Sequence, residues 1–417
     1  MSFPTLGLSE PLLRAVTEHG YVDPTPVQRA VIPEVLAHRD VWAQASTGSG
    51  KTAAFVLPLL ELLARTDLVL PRPVRVLILV PTRELAKQTA DTIAALRRHL
   101  RQRPKAVVVL GGVSINPQMM ALRGGAEIVV ATPGRLLDLV ASNALSLGAV
   151  THLVLDEADR LLDQGFRDEL DRIVTLLPTA RQTLLFSATF PPAVDRLARQ
   201  LLREPVRIDV SEAPTDLPAI TQRAIEVDAA RRTQLLKHLL AQHAWPRVLV
   251  FVATTHAAEH VATKLQGAGI NAIALHGKLS QGGRTRALDL FRASGVQVLV
   301  ATDLASRGLD ITGLPAVVNY DLPRSADDYV HRIGRTGRAG ESGVAVSFIT
   351  ADQHAHFALI EKRHQHYVVR ERLAGFEPTL APTSPAPAAP PGGTGGVKGR
   401  RPSKKDKLRA AARGDKA

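Results

Sequence analysis

Along this chain, short stretches of nearly unbroken Val, Ile and Leu alternate with longer stretches in which apolar residues return every three or four positions. The short stretches fall at 41–45, 76–80, 106–110, 127–131, 152–155 and 183–186, and again at 247–252, 272–275, 296–301, 316–319 and 344–349. A strand covered on both faces shows no polar side, so such runs point to the interior of a parallel sheet. Parallel neighbours need a crossover connection, which the intervening helical periods supply. The pattern predicts an α/β protein of repeated strand–helix units. It pauses at 211–218, Ser-Glu-Ala-Pro-Thr-Asp-Leu-Pro, and then restarts. Residues 211–219 read as a linker between a first domain over 1–210 and a second over 220–375.

Beyond residue 375 the composition changes. Six prolines and four glycines fall within 376–397, with almost no charge, which predicts a disordered segment that cannot supply a core. A basic tail over 398–417 follows, with nine Lys or Arg against two Asp. The net charge of the whole chain is +13, so this tail carries about half of it and reads as an arm for a polyanion. With 10 Phe, 2 Trp and 4 Tyr in 417 residues, the chain is poorly supplied with base-stacking rings, and phosphate and sugar contacts should dominate any nucleic-acid binding. The absence of cysteine excludes disulfides, iron–sulfur clusters and thiol chemistry. No signal peptide or membrane span is readable, so the expectation is a cytoplasmic protein without a membrane partner.

Two polar stretches carry the chemistry. Residues 45–52, Ala-Ser-Thr-Gly-Ser-Gly-Lys-Thr, follow the first apolar run and open a helical period. Small residues at that junction let backbone N–H groups converge on phosphates at a helix N-terminus. Ala45, Ser46, Thr47, Gly48, Ser49 and Gly50 would line the phosphates, Lys51 would reach the β- and γ-phosphates, and the Thr52 hydroxyl would bind Mg²⁺. Ala45 stands where the general pattern has Gly. The second stretch, Asp156-Glu157-Ala158-Asp159, continues directly from the run at 152–155. By itself such an acidic cluster is usually an exposed helix start. At the carboxyl edge of a sheet that also carries a phosphate loop, Asp156 suits Mg²⁺, and Glu157 suits a water in line with the γ-phosphate.

With these two motifs and others in order from residue 3 to about residue 350, the chain resembles the DEAD-box ATP-dependent RNA helicases, whose name spells residues 156–159. The resemblance implies two tandem RecA-like domains with ATP and Mg²⁺ as cofactors. Gly20-Tyr21-Val22-Asp23-Pro24-Thr25-Pro26-Val27-Gln28 is similar to the family's Q motif, which implies that Gln28 reads adenine and Phe3 stacks on it. Pro81-Thr82-Arg83-Glu84, Gly111-Gly112 and Thr132-Pro133-Gly134-Arg135 are similar to RNA-gripping motifs, implicating Arg83, Gly112, Thr132 and Arg135. Ser187-Ala188-Thr189 is similar to the motif that couples ATP state to RNA state through Ser187 and Thr189.

The second half has no Gly-Lys-Thr loop. There the resemblance implies RNA contacts from Arg284 and Thr302, a ribose contact from Asp310, coupling through His331, and arginine fingers at Arg335 and Arg338. Ser306 departs from the family's usual alanine. The implied activity is an RNA-dependent ATPase that separates short duplexes, or remodels RNA–protein complexes, when ATP and RNA close the two domains. An ATP-gated clamp or annealing factor uses the same motifs and is the alternative; a DNA translocase is a weaker third reading. The compact core with a short basic tail is similar to the bacterial RhlE-like group, implying pre-ribosomal particles or RNA-decay machinery as partners.

Overall fold

The computed structural model describes residues 2–45, 48–163, 165–210, 220–303, 311, 313–337 and 342–380. The expected linker at 211–219 and the basic tail lie outside them, as do Ser46, Thr47, Ser306, Asp310 and Arg338.

Strands β1 (Val41–Gln44), β2 (Val76–Leu79), β3 (Ala106–Val109), β4 (Ile128–Ala131), β5 (His152–Leu155), β6 (Gln182–Ser187) and β7 (Val206–Asp209) form one sheet in the order 3-4-2-5-6-1-7. A second sheet contains β8 (Ile220–Glu226), β9 (Val248–Val252), β10 (Ala272–Leu275), β11 (Val298–Thr302), β12 (Ala316–Asn319), β13 (Gly343–Ile349) and β14 (Arg370–Glu371). Its order, 10-11-9-12-13-8-14, is the first order with seven added to every strand. All pairings are parallel. The protein is thus α/β, with two RecA-like lobes.

The unbroken apolar runs have a simple cause: alternate residues of each strand enter different cores. In the first lobe Ala43, Ile78, Val130, Val154 and Phe186 face one core with the helices Pro26–Leu36, Lys51–Ala64 and Arg83–Leu96. Leu77, Leu79, Val129, Leu153 and Leu185 face the other, with the helices Pro133–Ala141, Ala158–Asp163 and Pro192–Leu201. In the second lobe Val250 and Val300 face one core, and Leu249 and Leu299 the opposite one. Strands β7, β8 and β14 have no such run. β7 and β14 are sheet edges, and the start of β8 is only partly buried, so polar residues are tolerated.

One expectation needs correction. Composition predicts disorder from residue 376, yet the first residues of that segment pack on the second lobe. Phe376 joins the core with Leu373, 5.3 Å from the His238 ring and with the Arg231 guanidinium 5.2 Å from its centroid. The Thr379 N–H donates to Asp228 at 3.0 Å. An aromatic side chain outweighs the prolines around it. Among the described residues no helix is long and apolar enough to cross a membrane.

Candidate active site

Parallel register decides which loops meet. Leu79 pairs with both Leu155 and Ala131, and Gln44 pairs with Ser187. Ala45, Val80, Thr132 and Asp156 therefore all leave the first sheet at its carboxyl edge, where ligands of open α/β sheets bind.

At that edge Gly50 caps the helix Lys51–Ala64 with φ +92°, a left-handed conformation that favours glycine. A Cβ there would also lie 2.6 Å from Gln28 Nε2. Gln28 is buried, and its two roles explain why. Its Oε1 accepts the Thr25 N–H at 3.0 Å, completing a capping box, and its Nε2 donates to the Gly50 carbonyl at 3.2 Å. The helix Pro26–Leu36 is thereby bolted to the loop that precedes Lys51. One N–H and one lone pair of the carboxamide are left for a base. Phe3, expected to stack on that base, is only 3% exposed and belongs to the first core, with Tyr21 stacked on it at 6.4 Å. Its ring is packed within this core, beside the helix that carries Gln28.

Lys51 is buried, with Nζ donating to the Ala45 carbonyl at 2.9 Å. Asp156 is 2% exposed. Burial pushes its carboxyl up to about 6; Lys51 and the Glu157 N–H pull it down, while Glu157 and Asp159 push it further up. That N–H donates to Oδ1 at 2.9 Å. A carboxylate buried this deeply beside the phosphate loop fits a divalent cation. The half-buried Thr52 is the second ligand the sequence predicts.

Glu157 has φ +52°, uncommon for a residue with a side chain, and its Oε2 accepts from Arg160 Nη1 at 2.8 Å. Asp159 ties down the loop after β6. Its Oδ2 accepts both the N–H and the hydroxyl of Thr189, at 3.1 and 3.0 Å, while the Ser187 hydroxyl accepts the Asp159 N–H at 3.3 Å. Ser187 and Thr189 thus touch the acidic motif directly.

The second lobe brings His331 and Arg335 against this region. With Arg160, Asp303, Asp328 and Arg332 they line a crevice of about 20 Å³, room for a water molecule. His331 is held neutral, its pKa lowered to about 3 by burial first and then by Arg160 and Arg335, against Asp159 and Asp328. Arg335 is buried there. Arg332 is structural: it grips Asp303 at 2.6 and 2.7 Å, and reaches Asn319 Oδ1 at 3.1 Å.

A second cluster gathers most of the expected nucleic-acid ligands. Arg83 lies on Gly112, where a Cβ would come 1.8 Å from its Nη2. Thr132 Oγ1 accepts the Gly111 N–H at 3.3 Å, and Arg135 Nη1 donates to the Val113 carbonyl at 2.9 Å. Across the lobes Arg284 Nη2 sits 2.7 Å from Glu84 Oε1, and Arg83 Nη1 reaches Gln281 Oε1 at 3.4 Å. Burial, then Arg284, then Arg135 lower the Arg83 pKa, with Glu84 opposing. The Arg284–Glu84 contact is close but poorly directed, because Glu84 Oε1 and Arg284 Nε complete no hydrogen bond. Converging guanidinium groups with unused donors suit a phosphate. Thr302, the last residue of β11, is buried. Glu84 and Arg160 are the functional-site residues that sequence reasoning passed over.

Comparison with known proteins agrees with this geometry. The DEAD/DEAH box helicase family matches residues 25–197, and the helicase conserved C-terminal domain matches 231–340. The ATP-dependent rRNA helicase rrp3 of Sclerotinia sclerotiorum is 41% identical over 386 residues, covering 91% of this chain and 79% of that protein. The DEAD-box ATP-dependent RNA helicase RhpA of Helicobacter pylori is 40% identical over 361 residues, covering 87% and 72%. Among solved structures, S. cerevisiae Dbp5 bound to RNA and ADP BeF3 aligns with a TM-score of 0.78 at 31% identity, over 90% of this chain and 95% of the other. Mss116p bound to ssRNA and AMP-PNP aligns at 0.79 and 28% identity, over 89% and 78%.

Proposed function

The chain belongs to the DEAD-box ATP-dependent RNA helicases, and on that footing we propose how its own residues divide the work of ATP-driven RNA remodelling. Lys51 and the loop up to Gly50 hold the phosphates, and Gln28 reads the base. Glu157 polarises the attacking water, and Arg335 of the second lobe meets the charge that develops on the transferring phosphoryl group. A Mg²⁺ ion held by Asp156 and Thr52 would neutralise charge on the phosphates. Arg83, Gly112, Thr132, Arg135 and Arg284 hold the RNA backbone, which carries no base information.

The observation that carries this reading is the approach of the second lobe to both clusters, with Arg335 beside Arg160 and Arg284 at Glu84. A ligand that spans both lobes favours their closed arrangement, so RNA and ATP promote each other's binding. The rRNA helicase relative supports pre-ribosomal RNA as the substrate.

The test uses two variants. Lys51→Ala should lose nucleotide binding, whereas Glu157→Gln should bind ATP and RNA but turn over at least 100-fold more slowly. Because Glu157→Gln would not release RNA by hydrolysis, the same protein serves as a trap for crosslinking in cells and sequencing of bound RNA. Equal loss of ATP affinity in the two variants would overturn the division of roles, and no enrichment of ribosomal precursors would remove the pre-ribosomal assignment.

A further inference from the structure

Arg160 is buried at the meeting of the two lobes, 4% exposed, yet it belongs to neither the phosphate loop nor the RNA-facing cluster. A guanidinium so deep needs a counter-charge, and the one it bonds is Glu157, at 2.8 Å from Nη1 to Oε2, with both side chains under 10% exposed. Its backbone N–H donates to Asp159 Oδ1 at 3.0 Å, so its start is fixed by the residue that also holds Thr189. On its far side it lines the crevice with His331, Arg335 and Asp328 of the second lobe.

Two consequences follow for Glu157. Its Oε2 is occupied, so Oε1 is the oxygen left to face a water. Its backbone sits at φ +52°, outside the region side chains prefer, so its carboxylate direction depends on an anchor beyond its own main chain. Arg160 is that anchor, and the second lobe roofs it. A planar fork fixes the orientation of a carboxylate better than a lysine ammonium does.

We propose that Arg160 is a positioning residue, aiming the Glu157 carboxylate at the attacking water when the second lobe covers it. The proposal rests on the reading of Glu157 as the residue that activates that water. It also links lobe docking to chemistry through a side chain that touches neither ATP nor RNA.

The experiment compares Arg160→Gln and Arg160→Lys in the full chain at saturating RNA. Arg160→Gln should lower kcat about 10- to 100-fold, the loss of one charge-assisted hydrogen bond at the reacting centre. The KM for ATP and the affinity for adenosine 5′-(β,γ-imido)triphosphate should stay within about twofold, because ground-state binding is untouched. Arg160→Lys keeps the buried cation and should recover part of the lost kcat, which a purely structural defect in Arg160→Gln would not explain. In a Glu157→Gln background, Arg160→Gln should cost nothing further in single-turnover hydrolysis, since the carboxylate to be aimed is gone. Wild-type kcat in Arg160→Gln, or an undiminished loss in the Glu157→Gln background, overturns the proposal. If Glu157→Gln alone keeps full turnover, the Glu157 reading fails instead, and this proposal with it.

Discussion

Gly112→Ala tests the RNA-facing cluster through a single added methyl group. Gly112 has φ +70°, and the new Cβ would lie 1.8 Å from Arg83 Nη2 and 2.5 Å from its Cζ. No rearrangement of one methyl relieves that overlap, so the Arg83 guanidinium must leave. Losing a charge-assisted contact to a phosphate costs about 1.5–3 kcal/mol, or about 10- to 150-fold in RNA affinity. The left-handed backbone adds a cost of about 1 kcal/mol, which falls on folding and not on binding. Losing one cation–phosphate contact should also lower the log–log salt slope by about 0.7 on single-stranded RNA. The assay is anisotropy of a labelled single strand with a non-hydrolysable ATP analogue, titrated across a salt series. In an Arg83→Ala background the added methyl meets open space, so most of its effect should vanish. An unchanged affinity and slope, or the same loss in both backgrounds, would refute the role given to Arg83.

Asp156→Asn should lose Mg²⁺-dependent ATP binding yet stabilise the metal-free, nucleotide-free protein. The folded pKa of Asp156, about 6, lies above its ordinary 3.8, so its stabilising contribution is complete below that ordinary value and is lost as pH rises through 6. The advantage of Asn should therefore be absent at low pH and grow as pH rises through 6. Denaturant unfolding in a Trp245→Phe background, where Trp42 alone reports on the first lobe, reads it; a variant less stable than wild type at pH 7.5 contradicts the burial argument. Truncation after Leu380 should leave RNA-stimulated turnover intact at saturating RNA while weakening RNA affinity, less so as salt rises, because nine tail cations release counterions. Parallel salt slopes for the two proteins would mean that the tail does not touch RNA.

What the sequence could show depended on how local each feature was. The two-faced strands were legible because burial on both sides leaves no polar residue to interrupt the run. β7 and β14 were not, because an edge strand needs only one apolar face and then reads as loop. The phosphate loop and Asp156–Glu157 were legible because each motif is contiguous and follows a strand end. Arg160 was hidden for the opposite reason: an acid and a base three positions apart normally describe a solvated helix surface, whereas this pair is buried and Arg160 lines a crevice with the second lobe. Glu84 and Arg284 lie in different lobes, and no periodicity announces such a meeting. Phe376 was not legible either, because a lone aromatic among prolines gives no periodicity, although it packs against the core of the second lobe.

The strand order also bears on how the protein is made. β1, which carries the phosphate loop, emerges early but lies between β6 and β7, the last two strands of its sheet to leave the ribosome. The second sheet repeats the arrangement, with β8 between β13 and β14. A nascent chain ending before residue 182 lacks both neighbours of β1, so the loop at Gly50 has no sheet to hold it. Domains fold largely as units during synthesis, N-terminal part first. Nucleotide binding should thus arise late in translation of the first lobe, around residue 209, and before the second lobe exists. Until then the emerging polypeptide has no means of gripping ATP, and so none of closing prematurely on the messenger or ribosomal RNA beside which it is born.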